Sequence, residues 1–345
     1  MTNVPGEALD PATYRFRGLH PRILLGTASD RYAGWLGQIY SPERFAPRVQ
    51  RRTKTVGGRR FVEEVLPVES VAEYFEHFPV LELDFTFYRP LRTPDGSPTP
   101  AWRTLDAYRR ALPPGARLLL KVPREVFARR LWRGRGSWEA NPGYLDPGRF
   151  QEGFYRPAVE LLGDALVGLL FEQEYQKKAE RVGAGELARE LDRFFRQLPA
   201  DPRYHVELRT EAYLSEPVFD VLARHGVGRV YSHWTWLPPL RRQLALGGPR
   251  FPNRGRRCVV RLMTPRNVRY EDAYARAHPF DRLVPGMLDP SLVDDAAALA
   301  GAAVEEGASV HLIVNNRAGG NAPAIARRIA ERLLEMPGFA RSRLP

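Results

Sequence analysis

Short apolar runs recur along the chain and alternate with stretches that have the spacing of amphipathic helices. The runs predict eight strands, at Arg22–Thr27, Val80–Thr86, Arg117–Val122, Leu166–Phe171, Tyr204–Leu208, Gly228–Ser232, Arg257–Met263 and Ser309–Asn315. The intervening stretches predict helices at Glu69–Phe78, Ala101–Leu112, Arg149–Leu162, Glu186–Leu198, Glu216–His225, Ser291–Glu306 and Ala322–Glu335. Strands that alternate with helices form parallel sheets, and eight of them close into a barrel. The sequence therefore predicts an α/β fold, a single (β/α)8 TIM barrel.

The connections between these elements are unequal in length. We expect the barrel over residues 21–337, an N-terminal extension over residues 1–20 and a tail over residues 338–345. Ala28–Val68 and Pro123–Gly148 are long, arginine-rich connections at the carboxyl ends of strands, and long loops of this kind tend to be functional or disordered. Within the first, Gln50–Arg60 is interpreted as a solvated, partly mobile insertion in slight preference to a binding rim. Pro238–Arg257 is interpreted as a loop, because no helical pattern is evident there.

Charged and amide side chains interrupt the apolar runs near their carboxyl ends. The residues concerned are Glu82, Asp84, Lys121, Glu207, Arg209, Asn315 and Asn316, and Arg261 is a further charge on an apolar strand. Burying a charge is costly unless the charge is paired or faces a polar cavity. The carboxyl ends of barrel strands meet at the face that holds the active site in such barrels. We therefore predict that these residues share one pocket.

The carboxylates in this set are the best candidates for acid/base chemistry. Glu82 and Glu207 are predicted to be catalytic, because burial can raise the pKa of a carboxyl group into the range that transfers protons. The alternative is that Glu207 pairs with Arg209 or Arg261 and stabilises the barrel mouth. Lys121 is expected to bind an anion or form a salt bridge, in preference to a Schiff base.

The remaining candidates favour an anionic ligand that also contains a sugar or a base. Asn315 and Asn316 precede Gly320-Asn321-Ala322-Pro323, which predicts a capped helix whose N-terminus could bind phosphate. A well-capped structural turn is the alternative. Arg209 and Arg261 are grouped with this anion site, and Trp234 is expected either to stack on a sugar or base or to plug the barrel mouth.

The sequence gives little support for a metal or a known cofactor. His233, together with Glu82, Asp84 and Glu207, could form a divalent metal site, but no local spacing supports it, so no metal is assigned. The cofactor is unknown. Motifs for a P-loop, a dinucleotide fold and a serine nucleophile elbow are absent, which disfavours those chemistries.

Composition adds a strong basic bias. The net charge is +12, and only four of the 52 basic residues are lysine, so 48 are arginine. Arginine grips phosphate and carboxylate in a fork, which favours an anionic or phosphorylated small molecule, or nucleic acid, as the partner. A genomic codon bias that favours arginine over lysine is the alternative explanation for this composition.

Other features of composition concern the compartment. No apolar stretch approaches the roughly 20 residues of a membrane span, and residues 1–10 lack the apolar core of a signal peptide. The single cysteine, Cys258, excludes an internal disulfide framework. We therefore expect a cytoplasmic protein with no membrane partner; the sequence does not indicate its oligomeric state.

Several segments resemble a known family. They include Gly26-Thr27, Trp35, Ile39–Pro42, Tyr74–Phe78, Leu81–Arg89, Val206–Arg209 and Val314–Asn316. In this order and at these distances, they resemble the YecE-like family (domain of unknown function 72). The resemblance implies a (β/α)8 barrel and no established activity. The chain departs from the family pattern at Ala28-Ser29-Asp30, where Ser-Gly-Trp is usual, and at Phe171–Tyr175, where a Gln-x-Pro-Pro element is usual.

Two functions remain open at this point. The first is a hydrolase acting on a phosphoester or sugar-containing substrate, with Glu82 or Glu207 as acid or base. The second is non-catalytic nucleic-acid binding through the arginine-rich loops, where Trp132 and Trp138 could stack on bases. A barrel that only provides a scaffold is a third possibility, because one fold can carry many functions.

Overall fold

The computed structural model describes residues 9–134, 137–248, 250–337 and 339, so most of the predicted tail and the first eight residues lie outside it. Its strands are β1 (Ile23–Ala28), β2 (Gln50–Val56), β3 (Arg59–Val65), β4 (Val80–Leu83), β5 (Leu118–Lys121), β6 (Arg130–Gly134), β7 (Ser137–Ala140), β8 (Leu166–Glu172), β9 (Tyr204–Glu207), β10 (Gly228–His233), β11 (Arg257–Leu262) and β12 (Ser309–Val314). Eight parallel strands close into a barrel in the order β1-β12-β11-β10-β9-β8-β5-β4. The predicted fold is confirmed.

The helices surround this barrel. They are α1 (Pro42–Phe45), α2 (Val71–His77), α3 (Pro100–Ala111), α4 (Arg124–Phe127), α5 (Pro147–Phe150), α6 (Arg156–Leu162), α7 (Ala184–Arg196), α8 (Glu216–His225), α9 (Leu240–Ala245), α10 (Tyr270–Ala277), α11 (Leu292–Glu305) and α12 (Ala322–Glu335). A π-helical turn, Gln151–Tyr155, joins α5 to α6, where the sequence predicts one helix. In the described ranges, no helix is long and apolar enough to cross a membrane.

Three connections are more ordered than the sequence analysis expects. Gln50–Arg60 lies in a regular hairpin, in which β2 and β3 pair antiparallel through a two-residue Gly57-Gly58 turn. Both glycines have positive φ angles, of 57° and 78°, which this tight hairpin turn requires. The residues of Gln50–Arg60 are mostly exposed, in line with a solvated insertion, and its mobility stays a prediction. In the second long connection, β6 pairs with β7. Pro238–Arg257 contains α9, so interpreting the whole stretch as a loop is wrong.

The inside of the barrel is apolar only at its middle. Alternate strand residues point inward, and they form two apolar clusters: Ala28, Val80, Leu119, Val167, Met263 and Ile313, and Leu170, Val230 and Val259. The same alternation places charged residues above this layer and histidines below it. A Cβ atom at Gly228 would lie 2.2 Å from Cδ2 of His205, so the buried imidazole requires glycine there.

Candidate functional site

A buried ion network fills the carboxyl end of the barrel, and Arg261 lies at its centre. The Arg261 guanidinium is inaccessible to solvent and donates to both carboxylate oxygens of Glu82, at 2.8 Å from Nε and 2.6 Å from Nη2. Its Nη1 contacts Glu207 and lies 3.3 Å from Oε2 of Glu172. One guanidinium from β11 therefore joins carboxylates from β4, β8 and β9.

Two further cations complete this arrangement, which we call the central network. Lys121 Nζ lies 2.6 Å from Oε2 of Glu172, and Arg209 Nη1 lies 2.8 Å from Oε1 of the same carboxylate. Arg209 also reaches Glu207, at 3.3 Å. The network comprises Glu82, Lys121, Glu172, Glu207, Arg209 and Arg261. Its three carboxylates and three cations have a formal charge of zero.

Ion pairing and burial act in opposite directions on the pKa values in the central network. Burial alone would raise the pKa of Glu172, but Arg209, Lys121 and Arg261 outweigh it and hold that pKa well below its usual range. Burial lowers the pKa of Lys121, with repulsion from Arg261 and Arg209 in the same direction and attraction to Glu172 opposing it. Burial would lower the pKa of Arg261, but its carboxylate neighbours raise it well above the usual value. Glu172 is thus held as an acceptor that does not readily take a proton.

The structure brings together five of the predicted site residues: Glu82, Lys121, Glu207, Arg209 and Arg261. It contains the salt bridge expected of Lys121 and the pairing of Glu207 with both arginines. Catalytic roles for Glu82 and Glu207 stay predictions. Glu172 is not among the predicted site residues, because the predicted strand ends at Phe171. The signal was available, since Glu172 is two residues after the inward-facing Leu170.

The predicted anion site after the last barrel strand has occupied backbone donors but unsatisfied side-chain donors. Asn316 Oδ1 accepts from Ala322 N at 2.7 Å, and Asn321 Oδ1 caps α12 by accepting from Ala324 N at 2.8 Å. Asn315 Oδ1 accepts from Arg317 N at 3.0 Å. In contrast, Asn316 Nδ2 and Arg317 Nε are buried without a protein partner. Any ligand here would meet side chains rather than the amides of the helix N-terminus.

An aromatic rim adjoins the central network. The guanidinium of Arg209 lies 5.0 Å from the ring centre of Trp234. Tyr175 lies 6.2 Å from Trp234 and 5.7 Å from Trp236, measured between ring centres. Tyr175 and Trp236 are 43% and 41% exposed, so this rim offers open ring faces beside the barrel mouth.

His233 does not join the carboxylates of the network. Its Nε2 lies 3.4 Å from Oδ2 of Asp289, and burial lowers its pKa although Asp289 opposes the shift. Among the described residues, no group of three or more His, Cys, Asp or Glu side chains is arranged to hold a metal ion. The carboxylates that do converge already bind arginine and lysine.

A separate cleft of about 1080 Å³ opens between the β2–β3 hairpin and the barrel mouth. We call it the hairpin cleft. It is lined by Ser29–Gly34 after β1, by Asp84, Phe85, Tyr88 and Arg89 after β4, by His278–Asp281, and by Arg51, Arg52, Lys54 and Val62–Val65 of the hairpin. Loops that leave the carboxyl ends of strands form its walls, as in the active sites of such barrels.

Asp30 is the most unusual group in the hairpin cleft. The residue is only 1% exposed. Its Oδ1 accepts from the Tyr108 hydroxyl at 2.7 Å, whereas its Oδ2 is buried without a partner. Burial raises the pKa of Asp30 to about 6, and Asp84 adds to this while Tyr108 and Arg31 oppose it. The group can therefore hold a proton at a pH where an ordinary aspartate cannot.

The backbone before Asp30 is strained. Ser29 has a φ angle of 67°, in the left-handed region, where a residue other than glycine costs about 1–2 kcal/mol. Its N–H donates to the Glu82 carbonyl at 2.9 Å, and its carbonyl accepts from Thr27 Oγ1 at 2.8 Å. Such strain clusters at functional sites. Asp30 is not among the predicted site residues, and Ala28-Ser29-Asp30 stands out in the sequence only as a departure from the family pattern.

The basic side chains of the hairpin cleft fall into two groups. Arg52 and Lys54 bind Glu63, at 2.8 and 2.9 Å, and Arg51 is likewise paired, with Glu64. In the part of the chain that the structure describes, Arg31 and Arg89 form no salt bridge, and Arg31 donates through Nε to the Leu66 carbonyl. The cleft thus holds two arginines without a carboxylate partner, together with Asp84, which also forms no salt bridge among the described residues.

Comparison with known proteins supports the same fold. Residues 24–343 match the family model described as a protein of unknown function, DUF72. A DUF72 family protein from Thermotoga maritima is 18% identical, with 91% of this chain and 99% of that chain covered, and a TM-score of 0.54. One from Enterococcus faecalis is 15% identical, with 91% and 96% covered and a TM-score of 0.52. None of the curated proteins compared with the sequence matches it. The chain therefore belongs to the DUF72 family.

Proposed function

We propose that the carboxyl face of the barrel binds a phosphorylated or otherwise anionic ligand, and that the protein hydrolyses a phosphoester or sugar-containing substrate there. The observation that carries the proposal is Asp30, a buried carboxyl group with one unsatisfied oxygen, in a cleft that also holds unpaired arginines. A carboxyl group with a pKa near 6 can keep its proton and then give it to a leaving oxygen.

Unpaired hydrogen-bond donors around the cleft favour an anion. Arg31 and Arg89 line it without salt bridges, and Asn316 and Arg317 have unsatisfied buried donors after β12. A ligand phosphate that meets these donors would make charge-assisted hydrogen bonds.

The predicted binding residues then divide into two roles. Asn316 contacts the anion directly, and Asn315 holds the backbone that carries Arg317. Lys121, Arg209 and Arg261 bind carboxylates, so in this proposal they form the floor beneath the ligand rather than clamping its phosphate. Trp234, with the exposed rings beside it, supports a sugar or base in the same ligand.

The decisive experiment compares two carboxylates. Asp30→Asn and Glu207→Gln are assayed against p-nitrophenyl phosphate, its bis ester and p-nitrophenyl glycosides, with folding checked by circular dichroism. We expect Asp30→Asn to lose about 100-fold or more in rate, because general acid catalysis contributes at least that much. A folded, fully active Asp30→Asn beside an inactive, folded Glu207→Gln would place the acid in the central network. No turnover of any substrate by the wild type would contradict the hydrolase proposal.

Nucleic-acid binding is a second candidate, and one observation favours it. Trp132 and Trp138 form a cross-strand pair on the β6–β7 hairpin, with ring centres 5.5 Å apart, and they are 43% and 52% exposed. Exposed aromatic rings on a basic arm can stack on bases. This candidate predicts binding of a single-stranded oligonucleotide that weakens steeply with salt and with Trp138→Ala. Binding that salt does not affect would contradict it.

A further inference from the structure

The large aromatic side chains that are exposed in the described part of the chain share one face of the barrel. They are Tyr88, Trp132, Trp138, Tyr175 and Trp236. Tyr88 follows β4, the two tryptophans of the β6–β7 hairpin follow β5, Tyr175 follows β8, and Trp236 follows β10. Each of these loops leaves the carboxyl end of a strand, where the active sites of such barrels lie. Exposed rings are therefore concentrated at the proposed site rather than scattered over the surface.

The five rings follow half of the barrel rim, and we call this set the aromatic arc. In the closed barrel, β4, β5, β8, β9 and β10 are consecutive neighbours. The arc therefore crosses four intervals between strands, which at about 4.8 Å each span roughly 19 Å. The hairpin cleft lies at one end of the arc, because Asp30 follows β1, the strand that pairs with β4. A ligand that contacts the whole arc is consequently a chain of several units.

Contacts between the loops connect successive parts of the aromatic arc. The guanidinium of Arg124, on α4 after β5, lies 6.0 Å from the ring centre of Tyr88. The backbone N–H of Arg129, at the base of the β6–β7 hairpin, donates to Oε1 of Glu174 at 2.7 Å. Glu174 directly precedes Tyr175, whose ring belongs to the aromatic rim. The rings thus stand on one connected surface, although they come from four separate loops.

Basic side chains without a carboxylate partner lie beside these rings. Among the described residues, no salt bridge is formed by Arg31, Arg89, Arg124, Lys177 or Lys178. Arg89 adjoins Tyr88 in sequence, and the two lysines are exposed and follow Tyr175 closely. Asp84 and Glu174 also lie on this face without a salt bridge, so the face is not uniformly basic. Its cations stand next to rings, which is the arrangement that a chain of bases and phosphates would meet.

We propose that the substrate of the carboxyl face is a single-stranded nucleic acid, which lies along the aromatic arc with one phosphodiester in the hairpin cleft. This inference rests on the proposed hydrolase function and names its substrate class. Bases stack on the open rings, and the cations beside the rings meet phosphates. A single strand can bend around the rim and present its bases, whereas a duplex is stiff and keeps its bases stacked inside.

The reaction at the cleft is the hydrolysis of one phosphodiester bond. The oxygen of a water molecule bonds to phosphorus, and the bond from phosphorus to the leaving sugar oxygen breaks. The leaving oxygen takes the proton of Asp30, which lines the cleft. The proton that the water loses goes to solvent, and Asp30 regains a proton from solvent, so water is the only co-reactant.

The test uses the full chain and a fluorescein-labelled single-stranded oligothymidylate. Fluorescence anisotropy measures binding, gel electrophoresis measures cleavage, and bis(p-nitrophenyl) phosphate serves as a substrate too short to reach the arc. We expect the single strand to bind more tightly than a duplex of the same length and to be cleaved. Turnover of the bis ester without cleavage of the oligonucleotide would overturn this inference and leave the proposed function standing. Turnover of neither would contradict the proposed function, and with it the assignment of a substrate.

Ring variants locate the bound strand. Tyr88→Ala, Trp138→Ala and Trp236→Ala remove exposed rings from the two ends and the middle of the arc, and each should weaken binding about fivefold or more. Trp236→Phe keeps a ring and should retain most of the affinity. Leu334→Ala, which shortens an exposed apolar side chain on α12, is the control and should change nothing. A loss confined to Trp138→Ala would place the strand on the β6–β7 hairpin alone and would overturn the inference.

A competition experiment separates base stacking from charge. Unlabelled oligothymidylate and polygalacturonate, an acidic polysaccharide without bases, are added at equal concentrations of negative charge. We expect the polysaccharide to displace the labelled strand at least about fivefold less effectively, because it has no bases to stack on the rings. Equal displacement by both would overturn the assignment of a nucleic acid and would make an acidic polysaccharide the better ligand.

Discussion

The central network and the hairpin cleft lie side by side at the carboxyl end of one barrel, but their charges are arranged differently. In the network, every cation has a carboxylate partner, and Arg261 alone contacts three of them, although Glu207 Oε1 and Arg209 Nε are buried without a hydrogen-bond partner. In the cleft, Arg31 and Arg89 have no salt bridge among the described residues, and Asp30 has an unsatisfied oxygen.

This difference distinguishes charges that stabilise the barrel from a carboxyl group that is available to transfer a proton. Removing the partner of a buried charge strongly destabilises the fold, and a charge that is already paired has little capacity left for a ligand. A buried carboxyl group without a cation partner holds its proton and can exchange it. In our proposal, the buried charges in apolar strands form the floor of the carboxyl face, and the reactive group is Asp30 beside them.

The largest effect is expected from breaking the central network. Arg261→Met leaves Glu82 and Glu207 buried without their main cation, which should cost about 3–5 kcal/mol of unfolding free energy. Urea unfolding measures this, with Arg261→Lys expected in between and the exposed Arg89→Met within about 0.5 kcal/mol of wild type. If Arg261→Met lowered the unfolding free energy no more than Arg89→Met does, the central network would not stabilise the fold.

Replacing Asp30 should have opposite effects on activity and stability. Because the pKa of Asp30 is raised in the folded state, its contribution to stability is fully present at pH values below 3.8, the pKa of the unfolded chain. This contribution is lost as the pH rises through about 6, the pKa in the folded state. Asp30→Asn should therefore lose activity but gain up to about 3 kcal/mol at pH 8, since one pKa unit corresponds to about 1.4 kcal/mol. The gain should vanish below pH 4. A variant that is less stable than wild type at pH 8 would contradict a buried, unpaired carboxyl group.

Removing an unpaired arginine should weaken anion binding without affecting folding. Arg89→Ala should raise the dissociation constant for phosphate in the cleft about tenfold, the effect of one charged hydrogen bond. Calorimetric titration measures it. Arg328→Ala, an exposed arginine on α12 outside the cleft, is the control for net charge. Equal losses in both variants would argue against a specific site.

The smallest effects should appear in the pH profile of turnover. If protonated Asp30 is the acid, kcat/KM should fall as pH rises through about 6. Tyr108→Phe removes a hydrogen bond that lowers the pKa of Asp30, so the fall should move to higher pH. Asp84→Asn removes a negative charge that raises this pKa, so the fall should move to lower pH. Shifts in the same direction would contradict this assignment.

Much of the fold and part of the site follow from the sequence pattern. Eight apolar runs predict the barrel, and period-two spacing places Glu207 and Arg209 on the same side of a strand. The pairing of Glu82 with Arg261, 179 residues apart, depends on how the barrel closes, which local periodicity does not contain.

The local sequence pattern does not predict the position or the raised pKa of Asp30. It follows the strand, and the left-handed turn at Ser29 determines where its carboxyl group lies. Its pKa depends on burial by Tyr108 and the loops around it, and thus on tertiary packing. The β2–β3 hairpin, by contrast, had a local signal in Gly57-Gly58 between two strand-like runs.

The most direct test of this account is a carbon-13 NMR pH titration of the side-chain carboxyl groups. Asp30 and Glu172 can be assigned through Asp30→Asn and Glu172→Gln and followed in the same samples. We predict that Asp30 titrates near pH 6, while Glu172 stays ionised well below the usual range of a glutamate. A pKa of Asp30 near its ordinary value of 3.8, or a pKa of Glu172 near 4.5, would contradict the proposed difference between the hairpin cleft and the central network.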